Sequence, residues 1–476
     1  MTDMRTGILL SLTRIWMSVC GLGITVAAVT YADPVGFGLF AIATSIGLLF
    51  CMVLGSGTHE GVLARTVDPD EAHAFASVTG LVFAAILVLF ALASERAGTR
   101  VMTLTFLAYA VNCVGWGASN AADALAIRDG RASRILISTG AGDTVNLAVS
   151  VAGLVAGYDV YALALAKLAQ SVTQYLAFSL TCGRPLLPSL RLRNVRRHAV
   201  GFASYSLPRL SGWAESYAAD IFIGALLSPV AAGQFRLAAR FTAAFQAVIL
   251  NSLNLVMIAE TGRRSAAALK TAWILRTTPL AIVLVGFAGT GFALVVSTSL
   301  VRFKGDVWID AAMIVLWITV ATPALVANGA MIALLTSRQA HRRLADIQVS
   351  RLLGGTLGLI GGALIGTVAS AAGRSLVNLC VTGASLWVVM RRQSHARLLI
   401  SVLARQSLVA VALAVAGSAV AHAAPGGLAA PLNFAALAGL LLVLQGLLTF
   451  PQLRTMWREA APFRPTAARQ RRQLAR

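Results

Sequence analysis

Lysine is nearly missing from this chain, and acidic residues are few. Of 39 basic residues only Lys167, Lys270 and Lys304 are lysines, against 18 acidic residues, which leaves a net charge of +21. GC-rich codon usage explains an arginine bias of this kind, and arginine also suits bidentate contact with phosphate. Charged residues make up only 12% of the chain, too few for a soluble surface. The five cysteines, at 20, 51, 113, 182 and 380, have an odd count, no metal-type spacing and apolar neighbours. They read as small core residues, not disulfides. No GxxxxGK[ST] loop is present, which excludes an ATPase within the chain, and no HExxH or metal-spaced His/Cys cluster occurs. No cofactor or metal is therefore expected. A signal-peptide cleavage pattern is also lacking, and the first apolar stretch is long enough to remain as a span.

What is abundant is apolar surface: 58% of residues are hydrophobic and the mean hydropathy is +0.78. The expectation is an all-α, polytopic membrane protein. A hydrocarbon core needs about 20 helical residues per crossing. That rule predicts about fourteen spans, at 8–30, 37–57, 75–93, 101–122, 135–156, 161–182, 201–226, 235–257, 277–299, 311–335, 349–370, 372–390, 407–424 and 433–450. Arginine is concentrated in alternate loops, such as 184–197 and 391–405, and in the tail, whereas the opposite loops hold only Arg96, Arg100, Arg302, Lys304 and Arg374. The positive-inside rule then puts both termini in the cytoplasm. Outside loops are too short for a folded extracytoplasmic domain. The organisation expected is an N-terminal lobe (1–195), a C-terminal lobe (196–392), two extra spans (393–450) and a basic tail (451–476), with 183–200 as the interlobe linker.

One offset relates the halves. Ser11-Leu12-Thr13-Arg14 is matched 195 residues later by Ser206-Leu207-Pro208-Arg209. The same offset carries Pro34-Val35 onto Pro229-Val230, Gly38 onto Gly233, Phe40 onto Phe235 and Ala43 onto Ala238. Related six-span halves are a transporter signature. Ionisable residues at membrane depth cost about 2.5–3.5 kcal/mol on insertion scales, so each is a functional candidate. Arg14 and Arg209 occupy matched positions, although arginine's long stem permits snorkelling to the interface. Arg236 and Arg240 share one helix face, with a head-group role open for Arg236, and Lys167 lies about two turns into span 6. Glu215, Asp220 and Asp143 are candidate proton or cation coupling sites, or else fixed ion-pair partners of arginines. Arg276 and Arg351 are read as snorkelling residues at cytoplasmic helix ends. The Asp33-Pro34 and Ser228-Pro229 turns are read as architectural, and the glycines from Gly354 to Gly366 as a packing face. Topology accounts for the arginine-rich loops without nucleic acid.

The segment Ala32-Asp33-Pro34-Val35-Gly36-Phe37-Gly38-Leu39-Phe40-Ala41-Ile42-Ala43 resembles the turn after the first span of polysaccharide flippases. These form the oligosaccharide branch of the multidrug/oligosaccharidyl-lipid/polysaccharide exporter superfamily. Leu54-Gly55-Ser56-Gly57-Thr58-His59-Glu60-Gly61-Val62-Leu63-Ala64-Arg65 is similar to the end of their second span, and residues 219–240 to their seventh and eighth. The resemblance covers about residues 5–400. It implies two six-helix lobes around a cavity that opens alternately to each side, plus two extra helices. The implied cargo is an undecaprenyl-diphosphate-linked oligosaccharide, its diphosphate held by Arg14, Arg209, Arg236, Arg240 and Lys167. No reaction would be catalysed, and an ion gradient or the membrane potential would drive the movement. Implied partners are this glycolipid, membrane lipids, and polysaccharide polymerase and chain-length machinery. Rival readings are an ion-coupled multidrug antiporter or a lipid II flippase of the same superfamily. A polysaccharide polymerase or ligase is disfavoured by the short outside loops, and a membrane scaffold by the intramembrane charge.

Overall fold

The computed structural model describes residues 2–423 except 64, 66, 184–185, 192–194, 263–266, 305–307, 339 and 391–395. The expected span at 433–450 and the tail therefore lie outside the described residues. Backbone polar groups in hydrocarbon must be satisfied internally, and the described chain is helical throughout, with no strand. The N-terminal lobe consists of α1 (Thr2–Tyr31), α2 (Pro34–Val53), α3 (Thr58–Leu63), α4 (Pro69–Arg96), α5 (Arg100–Arg128), α6 (Ser133–Val155) and α7 (Val160–Cys182). Then come α8 (Val195–Leu226), α9 (Pro229–Gly262), α10 (Ala267–Lys304), α11 (Ile309–Val320), α12 (Thr322–Ser337), α13 (His341–Ala363) and α14 (Thr367–Met390), the C-terminal lobe, and α15 (Ala396–Ala423). Among the described residues, nine segments are long and apolar enough to cross a membrane on their own. The molecule is a multi-pass membrane protein.

Three predicted boundaries move, each for a local reason. The second span ends at Val53, because Gly55 and Gly57 take positive φ (76° and 78°) and turn the chain into the short α3. The span at 311–335 is broken at Ala321, where Pro323 has no amide to donate to the preceding turn. The turn between spans 11 and 12 falls at 364–366, not at 371, so α14 already begins at Thr367.

Within the first lobe α4 packs on α5, α6 on α7, and α1 on α6. In the second, α13 packs on α14, and α10 on α11 and α12, while α15 rests against α10 and α11. The lobes meet where α2 lies against α8 and α9, and α1 against α9. Both repeated turns start helices in the same way. Asp33 accepts from the Gly36 amide (2.8 Å) ahead of Pro34, and Ser228 accepts from the Ala231 amide (3.1 Å) ahead of Pro229. The matched glycines then touch. A Cβ on Gly38 would collide with the Pro229 carbonyl, and one on Gly233 would stand 3.1 Å from the Gly38 amide nitrogen. Small residues let the backbones approach, so the two repeats are joined at their equivalent points. The glycine face of α13 packs in the same manner, with Gly358 against the Gly373 carbonyl and Gly362 against that of Ala369.

Candidate functional site

Three helices, α7, α9 and α14, start from the same face of the bundle, since consecutive spans alternate in direction. Each carries a cation at its eighth residue: Lys167, Arg236 and Arg374. At 1.5 Å per residue they stand at one level, about 10 Å along their helices. Lys167 and Arg236 line a cavity of about 310 Å³ at the lobe interface, walled by α1, α2, α5, α6, α7, α8 and α9. Arg240, one turn further along α9, joins them, and its guanidinium lies 3.7 Å from where Gly21 would carry a Cβ. An α1 residue without a side chain leaves room for that arginine.

The carboxylates are held differently. Asp143 accepts from Gln170 (2.6 Å), whose carbonyl oxygen accepts from Lys167 (2.8 Å) and from Asn146 (3.2 Å). Gln170 thus relays between cation and carboxylate. Lys167 also lies 5.1 Å from the Tyr109 ring centroid. Asp220 is paired directly: Arg236 Nη1 donates to it at 3.0 Å and Ser45 of the other lobe at 2.6 Å. Arg236 covers the Tyr217 ring at 4.6 Å and is 4% exposed, so it is no head-group residue. Oxygen Oδ2 of Asp143, Oδ1 of Asp220 and nitrogen Nη2 of Arg236 are buried without a hydrogen-bond partner among the described residues. Such groups are costly unless a ligand, an ion or water meets them. The cavity lining holds three cations and, among the described residues, one carboxylate, that of Asp143.

The remaining candidates are dispersed. Arg209 donates to Glu60 of α3 at 2.5 Å and to the Met52 carbonyl at 3.1 Å, tying the lobes together. Trp213 donates to the Ser45 carbonyl (2.8 Å) across the same interface. Beside Glu60, His59 meets Asp123 of α5 at 3.1 Å. Arg14 is exposed on α1 and is not in the cavity lining, so the matched pair Arg14 and Arg209 is not brought together. The side chains of Glu215 and Arg276 lie outside the described residues.

Two arginines lie deeper in their helices than the sequence reading puts them. Arg351, read as a snorkelling residue, is the eleventh residue of α13 and 4% exposed. Arg374, assigned to an outside loop, lies within α14 and lines a second cavity of about 320 Å³ between α8, α9, α11, α12 and α14. The repeat contained the signal. Lys167 and Arg374 are both eighth residues, and Asp143 and Arg351 each stand twelve residues before the last residue of their helices, Val155 and Ala363. A fixed offset of 195 misses both matches, because the separation has grown to 207 and 208 residues by that point.

Two lobes of paired helices meeting at a charged cavity form a fold that is shared with solved membrane transporters. Aligned structures include a lipid II flippase, MurJ, in an inward closed conformation (TM-score 0.65, 11% identity, 94% of this chain and 99% of that one). Another is an inward-facing multidrug resistance MATE family transporter of the MOP superfamily (TM-score 0.56, 16% identity, 83% and 95%). A third is a mutant of the Vibrio cholerae MATE transporter VcmN (TM-score 0.51, 12% identity, 83% and 99%). These likenesses show the fold. No curated protein sequence matches the chain. Residues 33–313, more than half of it, match the polysaccharide biosynthesis protein family, and the chain belongs to that family.

Proposed function

We propose that this protein is a flippase that moves an undecaprenyl-diphosphate-linked oligosaccharide across the bacterial inner membrane by alternating access, for surface or extracellular polysaccharide synthesis. The observation that carries the reading is the cavity at the lobe interface, where Lys167, Arg236 and Arg240 face one carboxylate, Asp143. An excess of cations in a low-dielectric site favours a multiply charged anion, and two arginines with a lysine suit the oxygens of a diphosphate. A drug cation would need the opposite balance.

Arg209 has a related part in this scheme. Its tie to Glu60 holds the lobes together at the end of the bundle proposed to face the cytoplasm, and separation of the lobes would release it to meet the incoming diphosphate. Arg14, exposed on α1, is assigned to attracting cargo at the membrane surface. Asp143, with one oxygen unpartnered among the described residues, is the best placed of the coupling candidates, ahead of Asp220 and Glu215. Both termini are assigned to the cytoplasm. Polymerase and chain-length machinery would receive the product outside.

The test is a strain deleted for this gene, in which lipid-linked oligosaccharide is extracted and its leaflet probed with an impermeant lectin or glycosidase. Cytoplasmic accumulation with loss of surface polysaccharide is expected. Unchanged glycolipid with altered drug sensitivity would favour the antiporter, and accumulation of lipid II alone would favour the peptidoglycan precursor as cargo.

A further inference from the structure

The second cavity has no part in holding a diphosphate at the lobe interface. It is lined by Arg374, Ser375 and Asn378 of α14, by Ser216 of α8, and by Thr242 and Gln246 of α9, with Phe235, Ile318 and Leu325 as apolar walls. At about 320 Å³ it falls within the usual range of small-molecule sites, roughly 300–1,000 Å³. Its described lining holds hydroxyls, amides and a guanidinium, and no carboxylate. Asn378 Oδ1 is buried without a hydrogen-bond partner among the described residues. On the other side of α14, Arg374 and Asn378 also line a smaller cavity with Arg351. Where the first lobe sets Asp143 against Lys167, the second sets Arg351 near Arg374, and the carboxylate within electrostatic reach of Arg374 is Asp220 of α8, which is already paired with Arg236.

We propose that this cavity is a second cargo subsite, which takes a sugar residue bearing a carboxylate. Hydroxyl and amide groups match sugar hydroxyls, and the Phe235 and Ile318 walls match the apolar face of a pyranose ring. A guanidinium fits a carboxylate through two parallel hydrogen bonds. The cargo would then be an acidic oligosaccharide, its diphosphate held by Lys167, Arg236 and Arg240 and its acidic sugar by Arg374 with Asn378. The inference rests on the flippase reading for the statement that the cargo carries sugar.

The test uses the purified full-length protein in detergent and three probes: a hexuronate-containing disaccharide, its neutral hexose counterpart, and inorganic pyrophosphate. Binding is read by thermal shift across a concentration series. The uronate disaccharide is expected to stabilise the wild type and Arg240→Gln, and to bind Arg374→Gln about tenfold more weakly, the loss of one charge-assisted contact. Pyrophosphate is expected to show the reverse dependence on the two variants. Asn378→Ala removes no charge and provides a second route if Arg374→Gln does not fold; it should weaken the uronate several-fold and leave pyrophosphate unchanged. Equal binding of the neutral disaccharide, absence of uronate binding to the wild type, or undiminished uronate binding in the folded variants would overturn the subsite. Pyrophosphate binding lost in Arg374→Gln but kept in Arg240→Gln would also overturn it, since the diphosphate would then occupy this cavity. The leaflet assay on the deletion strain judges the flippase reading separately: Arg374-dependent uronate binding with an unchanged leaflet distribution would remove that reading and leave the site.

Discussion

The two lobes place a cation at the eighth residue of their last helix, Lys167 in one and Arg374 in the other, yet surround it differently. In the first lobe Gln170 connects Lys167 to Asp143. In the second, the position equivalent to Asp143 is Arg351, and Gln348 accepts from it at 3.3 Å. The two lobes carry charge at the same places in the bundle, with the same sign at Lys167 and Arg374 and opposite sign at Asp143 and Arg351. Helix geometry explains the first part: a residue's level and face are fixed by its distance from the helix start. Sign is free to vary, provided a partner or ligand meets the buried group.

That comparison can be broken most severely at the lobe boundary. Asp220→Ala strips Arg236 of its direct carboxylate partner, and breaking a buried pair costs about 3–5 kcal/mol. The variant should accumulate poorly and melt far below the wild type in detergent. Replacing both residues together, as Asp220→Leu with Arg236→Met, should recover most of the melting temperature but no export; recovered export would show that neither charge handles cargo.

A sharper test makes the second lobe resemble the first. Arg351→Asp would set a carboxylate near Arg374 as Asp143 is set near Lys167. Export of lipid-linked oligosaccharide should drop by at least about tenfold, the value of a charge-assisted contact, with normal insertion into the membrane. The converse, Asp143→Asn, keeps the shape of the Gln170 network and removes its charge. If Asp143 couples an ion, export in vesicles should lose its dependence on the imposed gradient while binding of pyrophosphate stays; a retained dependence would exclude Asp143.

The smaller effects lie outside the cavities. Glu60→Gln weakens the tie to Arg209, in which both side chains are 29% exposed, so stability should fall by no more than about 1 kcal/mol. Cysteine-labelling of the α2–α8 seam should nevertheless rise, since Arg209 holds it together with Trp213 and the Ser45–Asp220 bond. Arg14→Ala should change least: export near the wild-type rate at saturating cargo, with any decrease confined to low cargo concentration. Loss of export at all concentrations would bring Arg14 into the transport path.

Much of this was legible in the chain itself. Apolar run lengths mark where the long helices among the described residues run, and the offset of 195 locates the two N-cap-proline turns that the structure joins at Gly38 and Gly233. Arg236, Arg240, Lys167, Asp143 and Asp220 are legible in the sequence as charges costly to hold in lipid; their role in transport remains a proposal. Pairing was not legible. Nothing in the spacing of Glu60 and Arg209, 149 residues apart, distinguishes that ion pair from Arg209 with Glu215. Arg374 was missed because a charge near a span boundary is read as a loop residue, and only the turn at 364–366 puts it two turns inside α14.

What the sequence determined by itself is the helical, two-lobed, membrane-spanning character of the chain, since hydrophobic length and internal repetition are local properties that survive without knowledge of neighbours. Tertiary structure decided which cations share a cavity, which carboxylates neutralise them and which arginines lie elsewhere. Those outcomes depend on how the lobes dock along α1, α2, α8 and α9. The energy of a charge in a bilayer is fixed by what stands within a few ångströms of it, and that proximity is created by docking.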